Sequence, residues 1–287
     1  MTLNPEAQQG AIVLPDDGFF DLIPSDVGGG RYWGLEVAEV NNLDARIEWF
    51  PEEDVFLAFG VFRKEVDGVI ERISLDALPE IDSGLPFNTF VNNENQATLL
   101  GYEIEVEGNL RHLEEKLDFI SLGGNVAFIR SKVRRSDLER AVIEDNAGRL
   151  SIPEGGFDDN RQVQDQPDFL ATGYMNLEIE PTATDLTISL NRIGRRLDVP
   201  ATGRQPDIFL EAYNQVNFVL TQQIPGVEGL AFQFSAKNIT NPKIERIAGS
   251  QNSDLKIFDE KGNEVDELAL ESFRAGIDYS FGLSYTF

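Results

Sequence analysis

The sequence predicts an all-β fold: an antiparallel transmembrane β-barrel arrangement, a meander of about nine to ten strands. Three observations predict it. Apolar residues recur at every second position over long stretches. The links between these stretches alternate between short turns and long polar loops. Helical periodicity is almost absent.

The elements follow in chain order. In Leu43-Asp-Ala-Arg-Ile-Glu-Trp49, residues Leu43, Ala45, Ile47 and Trp49 share one face, and Asp44, Arg46 and Glu48 the other. Leu100, Tyr102, Ile104 and Val106 oppose Gly101, Glu103 and Glu105 in the same way. Leu186–Leu190 and Leu230–Ala236 repeat the pattern, and the last strand shows it most cleanly, with Tyr279, Phe281, Leu283, Tyr285 and Phe287 against Ser280, Gly282, Ser284 and Thr286. Read this way, strands span residues 40–50, 54–66, 96–108, 117–133, 168–180, 184–194, 207–223, 229–239 and 272–287. The one helical candidate, Leu110–Leu117, amounts to a turn between two strands.

Short links fall at 51–54, 109–116, 180–185 and 224–229, and long ones at 67–95, 134–167, 195–206 and 240–271. The long links are polar, acidic and rich in Gly, Pro and Asn. Short periplasmic turns on one side and long extracellular loops on the other are the pattern of an outer-membrane barrel. A soluble β-sandwich also alternates, but its outer face usually carries Lys, Glu and Thr. Here the second face holds Gly, Ser, Ala, Asn, Thr, Gln and Glu, which suits a wet or plugged lumen. Trp49, Phe50, Tyr279 and Phe287 fall near strand ends, where an interfacial girdle belongs.

Composition narrows the function classes. Acidic residues number 50 against 24 basic, a net charge of −26, which argues against nucleic acid because phosphate binding needs clustered Lys and Arg. Cysteine is absent, so disulfides and thiolate sites are excluded, and the single histidine, His112, leaves no ordinary zinc site or histidine-based triad. No apolar run reaches the ~18–20 residues of a membrane helix. The N-terminus lacks the basic start and apolar stretch of a signal peptide.

Four stretches then resemble the C-terminal barrel of TonB-dependent receptors. Leu99-Leu-Gly-Tyr-Glu-Ile-Glu-Val-Glu-Gly-Asn-Leu110 is similar to the family's strand of Gly, aromatic and alternating acids before a periplasmic turn. Phe56-Leu-Ala-Phe-Gly-Val-Phe-Arg-Lys-Glu-Val66 resembles the strand that meets a loop through an aromatic and a lysine. Phe234-Ser-Ala-Lys-Asn-Ile-Thr-Asn-Pro242 resembles the late strand leaving through Asn and Pro, and Gly276–Phe287 the terminal strand ending in phenylalanine.

The likeness covers the chain from about Tyr32 onward. It implies residence in the outer membrane of a Gram-negative-type bacterium and import of a metal–siderophore complex, cobalamin or oligosaccharide. Its implied partners are outer-membrane lipid, the barrel-insertion machinery, the imported small ligand and the TonB complex, reached through a plug absent from this chain. Residues 1–39 then read as an irregular extracellular-loop-like segment and 40–287 as the C-terminal portion of the barrel. Because 1–39 leaves no room for a plug, Met1 is expected to begin a truncated piece.

Candidate sites follow. The terminal Phe287 with apolar Tyr279, Phe281, Leu283 and Tyr285 at every second position resembles the signal read by the insertion machinery, a pattern that a lipid-facing strand also needs. Glu103 and Glu105 are paired carboxylates best read as lumen charges meeting water, and His112 as a solvated turn residue. Gly28–Gly30 has no strand before it or helix after it, so it is no phosphate loop. In Glu144–Arg149 and Asp259–Glu267 the spacing does not match an EF-hand, and Asn-Ala-Gly and Lys-Gly-Asn read as hairpin tips. Calcium in the extracellular loops is the one cofactor these acids leave open. The triplet Asn238-Ile-Thr240 matches a glycosylation acceptor by chance frequency.

No catalytic constellation emerges. The leading expectation is a receptor and transporter barrel, not an enzyme. A second is a complete small barrel with an adhesin or structural role, with one more strand hidden in Phe19–Val40. A third is a soluble ligand-binding β domain.

Overall fold

The computed structural model describes residues 35–74, 88–145, 159–201, 206–249, 257–258, 261–265 and 267–286. The Gly28–Gly30 run and the segment before residue 35 therefore lie outside the described residues.

Nine long strands follow one another as an antiparallel meander, each pairing with its sequence neighbours in the sheet. They are β1 (Glu39–Glu52), β2 (Val55–Asp67), β3 (Ala97–Asn109), β4 (Ile120–Arg134), β5 (Phe169–Ile179), β6 (Thr184–Ile193), β7 (Tyr213–Gln223), β8 (Leu230–Lys237) and β9 (Asp278–Tyr285). Among the described residues β1 and β9 are not paired with each other, so the sheet is not closed. Two-residue Asn160–Arg161 adds a short pairing to the end of β4.

Register sorts the side chains. One row across the sheet reads Ile47, Phe59, Ile104, Val126 and Ala171. Further along, Leu177, Leu186, Leu220, Phe234 and Phe281 stand side by side. The opposite face reads Glu48, Ala58, Glu105, Asn125, Thr172, Asn191 and Gln215. Because directly paired residues project to the same side, the wall has one continuous apolar face and one polar face. No described residue covers the apolar face: Leu43, Ile47, Phe281 and Leu283 are 73%, 74%, 72% and 74% exposed. Such a surface is stable only against another apolar medium.

The short links are tight. Glu52–Val55 closes β1 to β2, and the turns Leu110–His112 and Glu115–Leu117 join β3 to β4. Asn109 caps the first of these by accepting a hydrogen bond from the Arg111 amide at 2.8 Å. Between β5 and β6 the turn Glu180–Thr182 ends on Ala183 at φ 47°.

The long links are not irregular. A hairpin of Ile70–Ser74 and Asn88–Asn92 rises between β2 and β3. Helix α1, Asp137–Asp145, follows β4 and corrects the expectation that nothing beyond a helical turn would form. Arg196–Val199, Ile208–Leu210, Ile244–Gly249 and Glu267–Phe273 build a separate antiparallel sheet. Two expected strands therefore divide. The stretch 207–223 gives Ile208–Leu210 to this second sheet and only Tyr213–Gln223 to the wall. Likewise 272–287 breaks at Gly276, φ 89°, so that Phe273 ends a loop strand and Asp278 starts β9.

The conventional core sits in this loop layer. Phe209, Leu197 and Ile143 are buried there, as are Ile73 and Val91. In the wall, the buried apolar side chains among the described residues are the alanines at 58, 231 and 236 together with Ala97 and Val133 at its loop end.

Candidate functional site: a loop collar above a two-faced wall

The terminal strand is positioned at both ends. Tyr279, Phe281, Leu283 and Tyr285 pair with Ala236, Phe234, Phe232 and Leu230 on the apolar face. Phe234 lies 5.0 Å from the Phe281 ring and stacks on Tyr279 at 6.3 Å. At the loop end, Asn238 adopts φ 58° and its side-chain Nδ2 donates to the Gly276 carbonyl at 2.6 Å. The Asn241 side chain accepts from the Gly276 amide at 3.0 Å. Asn is among the few residues that tolerate a left-handed backbone, so Asn238 serves as a structural hinge here. At the turn end, the Thr286 amide donates to the Gly229 carbonyl at 2.9 Å. Phe287 lies outside the described residues.

The polar face is wet and acidic. Glu105 pairs with Arg46 at 2.8 Å, and Asn125 donates to Glu103 at 2.9 Å. Each carboxylate has a structural partner, so the two do not act on one another. Glycines make room for rings on this face: a Cβ at Gly101 would meet Phe62, and one at Gly123 would meet Tyr174. Phe50 does not join an outward girdle as expected. It lies 5.2 Å from Phe56, on the polar side with Arg46. Trp49, by contrast, faces outward opposite Leu57 near the short turn. His112 is not merely solvated: its Nε2 meets the Asp54 carboxylate, which Arg111 also contacts at 2.9 Å. Hydrogen bonding from His112, with the Arg111 charge, holds the Asp54 carboxyl below its ordinary range.

The loop layer contains a charged cluster that sequence reasoning missed. Arg161 bridges Glu71 at 2.7 Å and Glu139 at 2.8 Å, with all three side chains nearly inaccessible. Arg135 contacts Glu139 and reaches Asp207 at 3.1 Å. Asn93 donates to Glu71 at 3.0 Å, and Asp207 accepts from the Ala201 amide at 2.7 Å. Five charged groups thus join the Ile70–Asn92 hairpin, α1, Asn160–Arg161 and the segment before Ile208. Burial pushes the Glu139 carboxyl up, but Arg161 and Arg135 outweigh it and hold it below the ordinary carboxylate range. A second knot lies beside the first: Asp198 takes Arg72 at 2.9 Å and Arg246 at 2.8 Å. Burial, with the charge of Asp198, pushes the nearby Asp165 up.

One local signal was available. Ser136 caps α1, its hydroxyl accepting from the Glu139 amide at 3.1 Å, and Ser-Asp-Leu-Glu is a capping-box spacing. Nothing local marks Glu71, Arg161 or Asp207 as its partners.

Among the described residues no group of three or more His, Asp or Glu is arranged to hold a metal ion. Residues 146–149, 259–260 and 266 of the two acidic stretches lie outside the described residues. Lys261-Gly262-Asn263 does form a hairpin tip, with Gly262 at φ 79° and Ile257–Phe258 paired to Glu264–Val265.

A family model described as TonB dependent receptor-like, beta-barrel, matches residues 16–239. No curated protein matches the sequence. Among solved structures, the chain is similar to the ferric-catecholate import receptor Fiu of E. coli K12, at 14% identity and a TM-score of 0.47, over 88% of this chain and 28% of that one. The ferric yersiniabactin uptake receptor FyuA of Yersinia pestis gives 14% identity and a TM-score of 0.47, over 86% and 29%. The siderophore receptor PirA of Acinetobacter baumannii gives 13% and 0.48, over 88% and 32%. The chain thus spans between 28% and 32% of the length of these receptors.

Proposed function

The chain belongs to the TonB dependent receptor-like β-barrel family, and on that premise we propose that it forms wall and extracellular collar of an outer-membrane receptor and transporter. Its work in that reading is to admit a ligand such as a metal–siderophore complex, cobalamin or an oligosaccharide, with energy supplied through TonB. The observation that carries the reading is the apolar face that runs across all nine strands, paired with a polar face and, among the described residues, a folded layer at one end.

Each part has a role. The apolar face meets lipid, the polar face lines a water-filled or plugged lumen, and the short turns reach the periplasm. Residues 40–287 supply the wall and collar. The collar presents loops held by buried charge to the outside, where a ligand arrives. Among its described residues no side chains are set up as nucleophile and base, and receptor or transport work does not require them.

Lipid contact at adjacent positions of β9 tests the reading. Leu283 pairs with Phe232 on the apolar face and Ser284 with Ala231 on the polar one. An acyl-chain quencher should reach a label at 283 and miss one at 284. Equal shielding at both positions would overturn the assignment.

A further inference from the structure

The apolar face carries its bases toward its loop end. Arg63 of β2, Arg130 and Lys132 of β4, and Arg192 of β6 all project from it near the loop end. Arg63, Leu100 and Arg130 form one row across three strands, and Glu65, Thr98 and Lys132 the row above. With strands ~4.8 Å apart and ~3.4 Å per residue, Arg63 and Arg130 flank Leu100 at about 10 Å, and Lys132 stands about 7 Å above Arg130. In a chain with 50 acids to 24 bases, this concentration is unexpected.

The neighbours leave charge to spare. Arg63 is engaged by Glu65 at 2.5 Å, Arg192 by the Asn214 side chain at 3.0 Å, and Arg134, next on this face, by Asp159 at 3.4 Å. Arg130 and Lys132 are exposed and have no ion pair among the described residues. Directly below lies an aromatic step: Tyr102 stacks on Phe128 at 5.0 Å, and Phe128 meets Phe169 at 5.0 Å. Outward aromatics mark the level where hydrocarbon gives way to headgroups. The bases one step higher therefore stand where lipid headgroups carry their charge.

We infer that Arg63, Arg130 and Lys132 form a docking surface for a phosphorylated lipid headgroup on the outside of the wall. Charge complementarity and height select this occupant. A guanidinium fork suits phosphate oxygens, and an ammonium two residues above reaches the same group. The inference rests on the proposed membrane orientation of the apolar face and adds to it a preference among lipids.

The test uses the full chain reconstituted in phosphatidylcholine bilayers containing spin-labelled phosphatidic acid or spin-labelled phosphatidylcholine. The fraction of each label immobilised by protein is measured. The native chain should prefer phosphatidic acid, and Arg130→Gln with Lys132→Gln should lower that preference about thirtyfold, as two surface charges would. Lys237→Gln, on the polar face, should leave it unchanged. Equal preference in native chain and double variant overturns the inference. So does loss of the preference in millimolar inorganic phosphate at constant ionic strength, which would mark a site for free phosphate. A quencher contact at position 283 is read in the same bilayers. Contact there without headgroup preference overturns this inference alone, whereas no contact at 283 overturns the orientation as well.

Discussion

Arg161 answers two buried carboxylates at once, so its loss is worse than the loss of one ion pair. Arg161→Ala would leave Glu71 and Glu139 facing each other without it, and breaking a buried pair in this way costs about 3–5 kcal/mol. Hydrogen exchange should show the collar opening first, at the amides of residues 69–74 and 137–143, with β3 and β4 unchanged. Acid should act on the same cluster. Glu139 is held below its ordinary range, so its contribution is complete above the unfolded carboxylate value of about 4.3 and is lost as pH falls through the lowered one. Protease sensitivity of the loops should therefore stay constant from neutral pH down to the ordinary carboxylate range and rise only below it. In the wall, the decisive residue is a glycine. A Cβ on Gly101 would stand 2.4 Å from the Phe62 ring and 2.6 Å from the Phe128 carbonyl, whereas one on Gly60 meets only the Ala45 carbonyl at 3.8 Å. Gly101→Ala should cost about 1–3 kcal/mol in detergent unfolding, with Gly60→Ala within about 0.5 kcal/mol of native.

Single elements show where docking of the terminal strand is decided. Gly229 and Gly226 both hold positive φ, at 78° and 83°, but only Gly229 lies against β9, where an added Cβ would come 2.2 Å from the Thr286 carbonyl oxygen. Gly229→Ala should therefore reduce protection of the β9 amides, while Gly226→Ala should carry only the backbone penalty of about 1–2 kcal/mol. Strand by strand, the wall was legible because period two survives in lipid-facing sequence. Leu43 to Trp49 and Tyr279 to Tyr285 announce their faces without any knowledge of their partners. What hid were switches of partner. Ile208, Phe209 and Leu210 continue the pattern of the strand after them, so alternation cannot reveal that they pair with Ile244–Gly249 and not with the wall. Helix α1 escaped notice for another reason: its nine residues, Asp137–Asp145, are mostly charged and form no long apolar stripe. The buried charges of the collar were invisible for the same cause, since Glu71 and Arg161 meet across 90 residues of chain.

Taken whole, the molecule has its dry core at one end and a wall bare on its apolar side. In plain buffer that wall should associate, and in detergent it should disperse, as size-exclusion chromatography in both media would show. A monodisperse, cooperatively folding monomer in buffer would contradict the membrane reading. The count of strands carries a further consequence. In a meander every strand reverses the last, so the first and ninth point the same way. Zipping β9 directly onto β1 would make a parallel seam, with slanted hydrogen bonds unlike every other ladder in the wall. Two copies standing upright side by side meet with the same mismatch. Parity thus forbids the nine described strands from closing on themselves or on their twins with antiparallel seams alone, and any complement that does so must bring an odd number of strands.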